Sequence, residues 1–210
     1  MTIWDNIYKN HQKGGEAWAT LSEEIDPIFK QFLSQSNFRT RHVLDIGCGT
    51  GKYLKFLQTD GFKTDGIDSS ETAVKMTKRM LGNESKILYV NMFEFKIPKN
   101  QYDLIISIST IHHGTKREVQ NLIDQIHETL IVNGKIFITL PDINTARKKG
   151  YLKNHEEVEK GSYAPLSGPE KGLPHSMYSK REVQKLFSKF TNLTLTLDNI
   201  GRWFIQASKQ

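Results

Sequence analysis

Short apolar runs alternate with helix-period segments through the middle of the chain. Five runs rich in β-branched residues predict strands at His42 to Ile46, Phe62 to Ile67, Lys86 to Val90, Tyr102 to Ile108 and Lys135 to Leu140. Three amphipathic segments between them predict helices at Lys52 to Gln58, Glu71 to Leu81 and Lys116 to Ile131. Strands that alternate with helices of this length are typical of crossover units in a parallel sheet.

The two ends of the chain carry different patterns. Apolar residues at helical spacing predict helices in the first forty residues. These apolar residues are Ala17, Trp18, Leu21, Ile25, Ile28, Phe29, Phe32 and Leu33. Ser179 to Glu182 has the pattern of a capping box and predicts the start of a late helix. Leu193 to Leu197 and Trp203 to Ala207 predict a closing antiparallel hairpin. The whole pattern predicts an α/β protein.

The periodic pattern lapses between Pro141 and Tyr178, a stretch that holds four glycines and four prolines. A loop of this length inside a compact domain is usually functional or disordered. We therefore expect one domain over residues 1–210. Its parts are N-terminal helices (1–40), a core (41–140), an insert (141–178), and a closing helix and hairpin (179–210).

Composition restricts the class of protein. The mean hydropathy is −0.50, and no apolar run approaches the ~20 residues that a membrane-spanning helix needs. Cys48 is the only cysteine, which rules out an internal disulfide and a cysteine-based metal cluster. The first residues carry no basic segment followed by an apolar run, so we expect no secretory signal. We therefore expect a cytoplasmic protein without a membrane partner, and we predict no metal site.

The net charge of +6 is unevenly placed. Residues 141–210 hold 12 lysines and arginines against 7 aspartates and glutamates. Such an excess fits an anionic partner or an ordinary solvated face. We favour the solvated face, because the chain has no run of about five or six like charges.

The most informative stretch runs from Val43 to Gly51, where a predicted strand ends and a helix begins. The N–H groups of such a turn are expected to be unpaired, and glycine lets a ligand approach them. A phosphate-binding P-loop is excluded, because Ile46 and Tyr53 stand where its first glycine and its hydroxyl belong. A dinucleotide fingerprint is disfavoured, because Lys52 stands at its third glycine. Asp45 would repel a pyrophosphate but attract a cation.

The stretch from Asp45 to Gly51 resembles, residue for residue, the first motif of class I S-adenosylmethionine-dependent methyltransferases. Gln101 to Ser107 resembles the fourth-strand motif of that family. Ile111 to His113 matches the tail of that motif in the small-molecule branch, which includes quinone-biosynthesis enzymes. The resemblance implies S-adenosylmethionine as cofactor and a Rossmann-like methyltransferase fold. That fold is a seven-stranded, mostly parallel doubly wound sheet with helices on both faces and a C-terminal antiparallel hairpin.

The resemblance also implies which residues contact the cofactor. They are Tyr8, Asp45, Gly47, Cys48, Gly49, Gly51, Asp68, Ser69, Asn91, Met92 and Ser107. The glycine turn would wrap the amino-acid part of the cofactor. Asp68 would accept both ribose hydroxyls, cap a helix, or do both. Asn91 stands near the family's adenine-facing aspartate, and core packing explains Met92 equally well. Tyr8, with Trp4, would cover the methionine end or simply pack.

Methyl transfer from a sulfonium is an in-line displacement, so the enzyme must chiefly align the acceptor and exclude water. A general base is needed only where the acceptor must lose a proton. The candidate catalytic residues are His112 and His175. The insert at 141–178 would act as a lid over the methyl end of the cofactor. We expect transfer to an unidentified small molecule, at O, N, S or C.

Three other functions stay open. The basic residues from Arg147 to Lys153 could contact the phosphates of an RNA such as tRNA. We recognise no added RNA-binding domain in the sequence, and this disfavours an RNA methyltransferase. A non-catalytic S-adenosylmethionine-binding module would carry the same glycine turn. A nicotinamide-dependent reductase is disfavoured by Lys52. The oligomeric state stays open as well.

Overall fold

A computed structural model describes residues 2–14 and 24–210, so Ala17, Trp18 and Leu21 of the N-terminal pattern lie outside the described residues. The helices are α1 (Ile3–Gln12), α2 (Pro27–Ser34), α3 (Lys52–Thr59), α4 (Glu71–Leu81), α5 (Lys116–Thr129), α6 (Ile143–Lys148) and α7 (Lys180–Leu186). The strands are β1 (His42–Ile46), β2 (Lys63–Asp68), β3 (Lys86–Tyr89), β4 (Tyr102–Ser107), β5 (Leu130–Pro141), β6 (His155–Glu159), β7 (Ser162–Pro165), β8 (His175–Ser176), β9 (Thr191–Leu197) and β10 (Arg202–Ser208).

The large sheet has seven strands in the order β3-β2-β1-β4-β5-β10-β9. The first five are parallel, and β10 pairs antiparallel with both β5 and β9. The predicted fold class is confirmed. The strand order reverses at β1, which lies between β2 and β4, so the carboxyl ends of β1 and β4 form the switch point where open α/β sheets bind ligands.

Different helices cover the two faces of this sheet. Successive residues of a strand point to opposite faces. Leu104 and Ile106 of β4 therefore pack with α2, α3 and α4, whereas Ile105 packs with α5 and α7. Every residue of β1 and β4 is buried, as expected for strands that are covered on both faces.

The predicted elements of the core are found with small differences at their ends. The strand β5 begins at Leu130 rather than Lys135, and α5 correspondingly ends at Thr129 rather than Ile131. The reason is that Leu130, Ile131 and Val132 are apolar and continue either pattern, while the backbone of Leu130 is already extended. Within the described part of the chain, no helix is long and apolar enough to cross a membrane.

The insert from Pro141 to Tyr178 is not the structureless loop that its composition suggests. It contains α6, a 3₁₀ turn at Tyr151–Asn154 and a second, antiparallel sheet of order β6-β7-β8. A small apolar cluster of its own includes Tyr163 and Met177. The sequence pattern misses these strands because β6 is largely exposed and acidic, and β8 has only two residues.

Candidate active site

A cavity of about 960 Å³ lies at the carboxyl edge of the large sheet. The loops that follow β1, β2, β3 and β4 line it, and α1 and the insert complete its wall. This volume is at the upper end of the range for small-molecule sites. The predicted site residues that line the cavity are Tyr8, Asp45, Gly47, Cys48, Gly49, Asp68, Ser69, Asn91, Met92, His112 and His175.

Two predicted cofactor residues, Gly51 and Ser107, are not brought to the cavity. Gly51 is the N-cap of α3 with a φ of +85°, and a Cβ there would lie 2.8 Å from the Cγ2 atom of Thr77. Ser107 is fully buried and donates its hydroxyl to the Ile46 carbonyl at 2.8 Å. Both residues therefore support the glycine turn from behind.

The glycine turn is tied to β2 by its own backbone. The N–H of Gly47 donates to the Ile67 carbonyl at 2.8 Å, and the N–H of Gly49 donates to Asp68 Oδ2 at 2.9 Å. The expectation of unpaired N–H groups is therefore wrong at these two positions, because β2 supplies their acceptors. Gly47 has a φ of +78°, and a Cβ there would lie 2.0 Å from Thr110 Cγ2, so only glycine fits.

The side chain of Asp45, on β1, is a buried acid at the cavity wall. It makes no hydrogen bond to any residue that the structure describes. Burial, together with the nearby charge of Asp68, raises the pKa of Asp45 to about 8. A positive charge in the cavity would favour the ionised form of this carboxyl group. The side chain therefore suits a cationic ligand.

The carboxylate of Asp68 lies where β2 ends. Its Oδ2 accepts from the N–H of Gly49, and its Oδ1 accepts from the N–H of Ser70 at 2.8 Å. Burial raises the pKa of Asp68, and these hydrogen bonds partly oppose that effect. The alternative reading of Asp68 as a helix cap is wrong, because the N-cap of α4 is Ser70, whose hydroxyl accepts from Ala73 N–H at 3.1 Å.

The helix α1 covers one side of the cavity and is anchored to α4 by Asp5. The carboxylate of Asp5 accepts from the N–H of Thr72 at 3.0 Å and from the hydroxyl of Ser70 at 3.2 Å. Its ion pair with Lys9, at 2.8 Å, is the main reason that the pKa of Asp5 lies well below its usual range. These contacts hold Tyr8, also on α1, at the cavity wall beside the glycine turn.

The turn after β3 carries Asn91 and Met92. The side-chain oxygen of Asn91 accepts from the N–H of Phe93 at 3.1 Å, and its amide nitrogen donates to Glu94 Oε1 at 3.0 Å. Asn91 is exposed, whereas Met92 is partly buried and packs against the large apolar cluster under α5. Both side chains line the cavity, but the polar atoms of Asn91 already hold its own turn together.

The loop after β4 and the strand β8 bring three histidines together. The ring centroids of His112 and His175 lie 5.8 Å apart, and those of His113 and His175 lie 4.8 Å apart. The Nδ1 atom of His112 is buried and has no hydrogen-bond partner among the described residues. Burial, with a contribution from His175, lowers the pKa of His112 to about 3. His112 is therefore neutral at physiological pH.

A family model described as a methyltransferase domain matches residues 17–196 of this chain. The match spans the glycine turn, Asp45 and Asp68, and the three clustered histidines. The chain belongs to this methyltransferase family. The predicted class I S-adenosylmethionine-dependent methyltransferase is confirmed, with S-adenosylmethionine as its cofactor. The quinone-biosynthesis branch predicted from Ile111 to His113 is not distinguished by the match.

The methyltransferase is 26% identical to a Bacillus thuringiensis protein named an uncharacterized methyltransferase, over 99% of this chain and 95% of that protein. It is 28% identical to a Homo sapiens protein named probable tRNA methyltransferase 9B, over 63% of this chain but 28% of that protein. It also shares its fold with Burkholderia thailandensis 1,6-didemethyltoxoflavin-N1-methyltransferase, solved with bound 1,6-didemethyltoxoflavin and S-adenosylhomocysteine. The TM-score is 0.69 at 14% identity, covering 99% of this chain and 87% of that chain.

The site of the methyltransferase contains residues that sequence reasoning missed. Asp5 anchors α1, and its position three residues after Thr2 in a first helical turn was the only available signal. Thr110 packs against Gly47 and could not be foreseen, because the contact joins two loops. Glu170 lies at the cavity wall beside His175, in a segment without any motif.

Proposed function

We propose that this methyltransferase transfers the methyl group of S-adenosylmethionine to a small-molecule acceptor by in-line displacement. The shape of the cavity carries the proposal. Beyond the glycine turn, the insert forms a wall through Tyr151, Glu170, Leu173 and His175. Such a wall favours an acceptor that fits inside the cavity over a long polymer that crosses the surface.

The residues at the glycine turn fit the cofactor. S-adenosylmethionine, when bound, supplies a methyl group that its sulfonium activates for transfer. Asp45 would face the positively charged amino-acid part, since its buried carboxyl group forms no ion pair with any residue that the structure describes. Each oxygen of Asp68 accepts one N–H and keeps lone-pair capacity, so the ribose hydroxyls can donate to it. Tyr8 would cover the methionine end, and Asn91 and Met92 would flank the adenine.

The histidines would act on the acceptor. His112 lines the cavity, and its ring is neutral at physiological pH. We infer that His112 accepts a hydrogen bond from an acceptor O–H, N–H or S–H group and so orients it. His175, whose ring lies beside that of His112, would position the same molecule. With a pKa lowered to about 3, His112 serves better for orientation than as a strong base.

A second candidate, an RNA methyltransferase, has two supporting observations. One is the similarity to the human protein named probable tRNA methyltransferase 9B. The other is the exposed basic end of α6 at Arg147, Lys148 and Lys149. These three side chains lie outside the cavity lining, which favours the small-molecule proposal. A cytoplasmic location and the single-domain division remain predictions.

Labelled methyl transfer into fractionated cell extract tests the proposal. The purified chain is incubated with methyl-labelled S-adenosylmethionine and with small-molecule or macromolecular fractions, each with and without nuclease. We expect label in the small-molecule fraction, unaffected by nuclease. Label confined to a nuclease-sensitive fraction would favour RNA. Cofactor binding without label in any fraction would favour a non-catalytic module.

A further inference from the structure

Three potential metal ligands meet at the cavity wall, and they come from two separate parts of the fold. His113 follows β4, whereas Glu170 and His175 belong to the insert. One side-chain atom from each of the three lies within 4.8 Å of the other two. His175 Nε2 is 3.1 Å from Glu170 Oε2, although the two do not form a well-directed hydrogen bond. The cluster lies outside every contact assigned above to the cofactor.

The imidazole of His113 is oriented as a ligand would be. Its Nδ1 lies 2.8 Å from the backbone carbonyl oxygen of Thr110. A carbonyl oxygen can only accept, so Nδ1 carries the proton and Nε2 keeps its lone pair. Metal-binding histidines almost always donate their second ring N–H to a carbonyl or carboxylate in this way. The ring is also fixed by Trp4, whose centroid lies 4.6 Å away in an edge-to-face contact.

Backbone hydrogen bonds hold the two parts of the cluster in register. The N–H of Ser176 donates to the carbonyl of His112 at 2.8 Å, and the Ser176 hydroxyl donates to the carbonyl of Gly114 at 2.5 Å. These bonds join the residues on either side of His113 to Ser176, which directly follows His175. The positions of the two imidazoles therefore do not depend on an exposed loop alone.

We propose that His113, Glu170 and His175 bind a divalent transition-metal ion of the zinc type, with an open coordination position toward the cavity. Two imidazoles and one carboxylate form a donor set that catalytic zinc sites use, with a fourth position left for water or substrate. Magnesium is disfavoured, because it prefers oxygen ligands. Ligands of a tetrahedral zinc ion lie about 3.3 Å apart, given metal–ligand distances of about 2.0–2.1 Å. The Glu170–His175 pair already has this spacing, and His113 needs to approach by up to about 1.5 Å.

The role of the ion in catalysis rests on the proposed function. An acceptor O–H or S–H group at the open position would lose its proton to cavity water and bind the ion as an oxyanion or thiolate. The acceptor X–H bond breaks and a metal–X bond forms, without any change of oxidation state. The anion would attack the methyl carbon, so that the X–CH₃ bond forms as the S–CH₃ bond of S-adenosylmethionine breaks. The electron pair of the broken bond stays on sulfur, which leaves as the neutral thioether, and the metal–X bond breaks when the methylated product is released. The substrate class is therefore an alcohol, a phenol or a thiol.

Zinc titration of the full, metal-stripped chain tests the site without any methyl transfer. We expect one equivalent of Zn²⁺ to bind, and Co²⁺ to give a d–d absorption spectrum at the same stoichiometry. His113→Ala, His175→Ala and Glu170→Gln should each weaken binding by about 100-fold or more, since outer-shell partners alone contribute about 10–100-fold. His127→Ala is the matched control, because His127 lies on α5, packs against Phe190 and does not line the cavity.

Two results would overturn the site. One is a parent chain that binds Zn²⁺ no more tightly than the His113→Ala variant. The other is a loss in His127→Ala as large as in the cluster variants. If an alanine variant fails to fold, Glu170→Gln, which preserves shape, decides the question. S-adenosylhomocysteine binding is measured on the same samples. Intact S-adenosylhomocysteine binding without zinc binding refutes the metal site alone. Zinc binding by a chain that transfers no label in the cell-extract assay refutes the proposed function alone.

Discussion

Replacement of Asp45 by asparagine should change how cofactor affinity depends on pH. The buried carboxyl group of Asp45 has a pKa raised to about 8, so it is mostly protonated at pH 6 to 7 in the absence of ligand. The ammonium group of S-adenosylhomocysteine would favour the ionised carboxylate. Binding below pH 8 must therefore release a proton, and affinity should rise with pH. Asp45→Asn keeps the shape of the side chain but has no proton to release.

The size of the effect follows from the pKa. With a pKa of about 8, roughly 1% of Asp45 is ionised at pH 6 and about half at pH 8. If the complex holds only the ionised form, affinity should rise by about 50-fold over this range, or about 2.3 kcal/mol. His112 adds nothing to this pH dependence, because its pKa is lowered to about 3 and the ring stays neutral between pH 6 and 8.

Isothermal titration calorimetry measures both quantities. Titrations with S-adenosylhomocysteine at pH 6, 7 and 8, in two buffers of different ionisation enthalpy, give the affinity and the number of protons released. We expect nearly one proton released at pH 6 for the parent and none for Asp45→Asn. A parent affinity that changes by less than about threefold, or an equal rise in Asp45→Asn, would refute the assignment of Asp45 to the charged part of the cofactor.

Three further predictions concern the glycine turn, the pH dependence of stability and the insert. Gly47→Ala should lower the free energy of unfolding, measured in urea, by more than about 2 kcal/mol. The added methyl group clashes with Thr110, and the left-handed backbone costs a further ~1–2 kcal/mol. Gly168→Ala, at an open position with φ +86°, should show only the backbone cost. The pKa of Asp45 is higher in the folded protein than in the unfolded chain, so its protonated form stabilises the fold fully below about pH 4. This stabilisation is lost as the pH rises toward 8. Urea unfolding at several pH values should show the loss in the parent but not in Asp45→Asn. Amides of residues 141–178 should exchange more slowly with S-adenosylhomocysteine bound, and equal exchange in both states would leave the insert a plain surface segment.

The sequence predicts the large sheet well, for a physical reason. Strands such as β1 and β4 are covered on both faces, so burial produces continuous apolar runs that a reader of the sequence can find. The turn after β1 is equally visible, because a positive φ and the close approach of Thr110 at Gly47 restrict that position to glycine. Local chemistry therefore predicts the end of the cavity to which we assign the cofactor.

The end of the cavity that we propose for the acceptor could not be predicted in the same way. Glu170 and His175 reach the cavity because β8 pairs with β7 and hydrogen-bonds to the loop after β4. Neither strand has an alternating pattern long enough to detect. The contact between His113 and these residues joins distant segments, so no local spacing indicates the cluster. The hydrogen bonds from the glycine turn to β2 are tertiary for the same reason.

The proposed role of Asp68 in binding the ribose has the most predictable energetics. Each charge-assisted hydrogen bond from a ribose hydroxyl contributes about 1.5–3 kcal/mol. Taking half of the summed range, because water can enter the vacated space, the loss in Asp68→Ala is ~2–3 kcal/mol, or roughly 30- to 150-fold in affinity. The same variant removes the acceptor of the Gly49 and Ser70 N–H groups, so its folding must be checked by thermal unfolding.

Calorimetric titration of the parent, Asp68→Asn and Asp68→Ala with S-adenosylhomocysteine is the most direct test of how the cavity holds its cofactor. We expect the alanine variant to bind roughly 30- to 150-fold more weakly, and the asparagine variant to lie between, because its amide oxygen still accepts one hydroxyl. A folded Asp68→Ala variant that binds within about threefold of the parent would contradict the seating of the cofactor between Asp45 and Asp68.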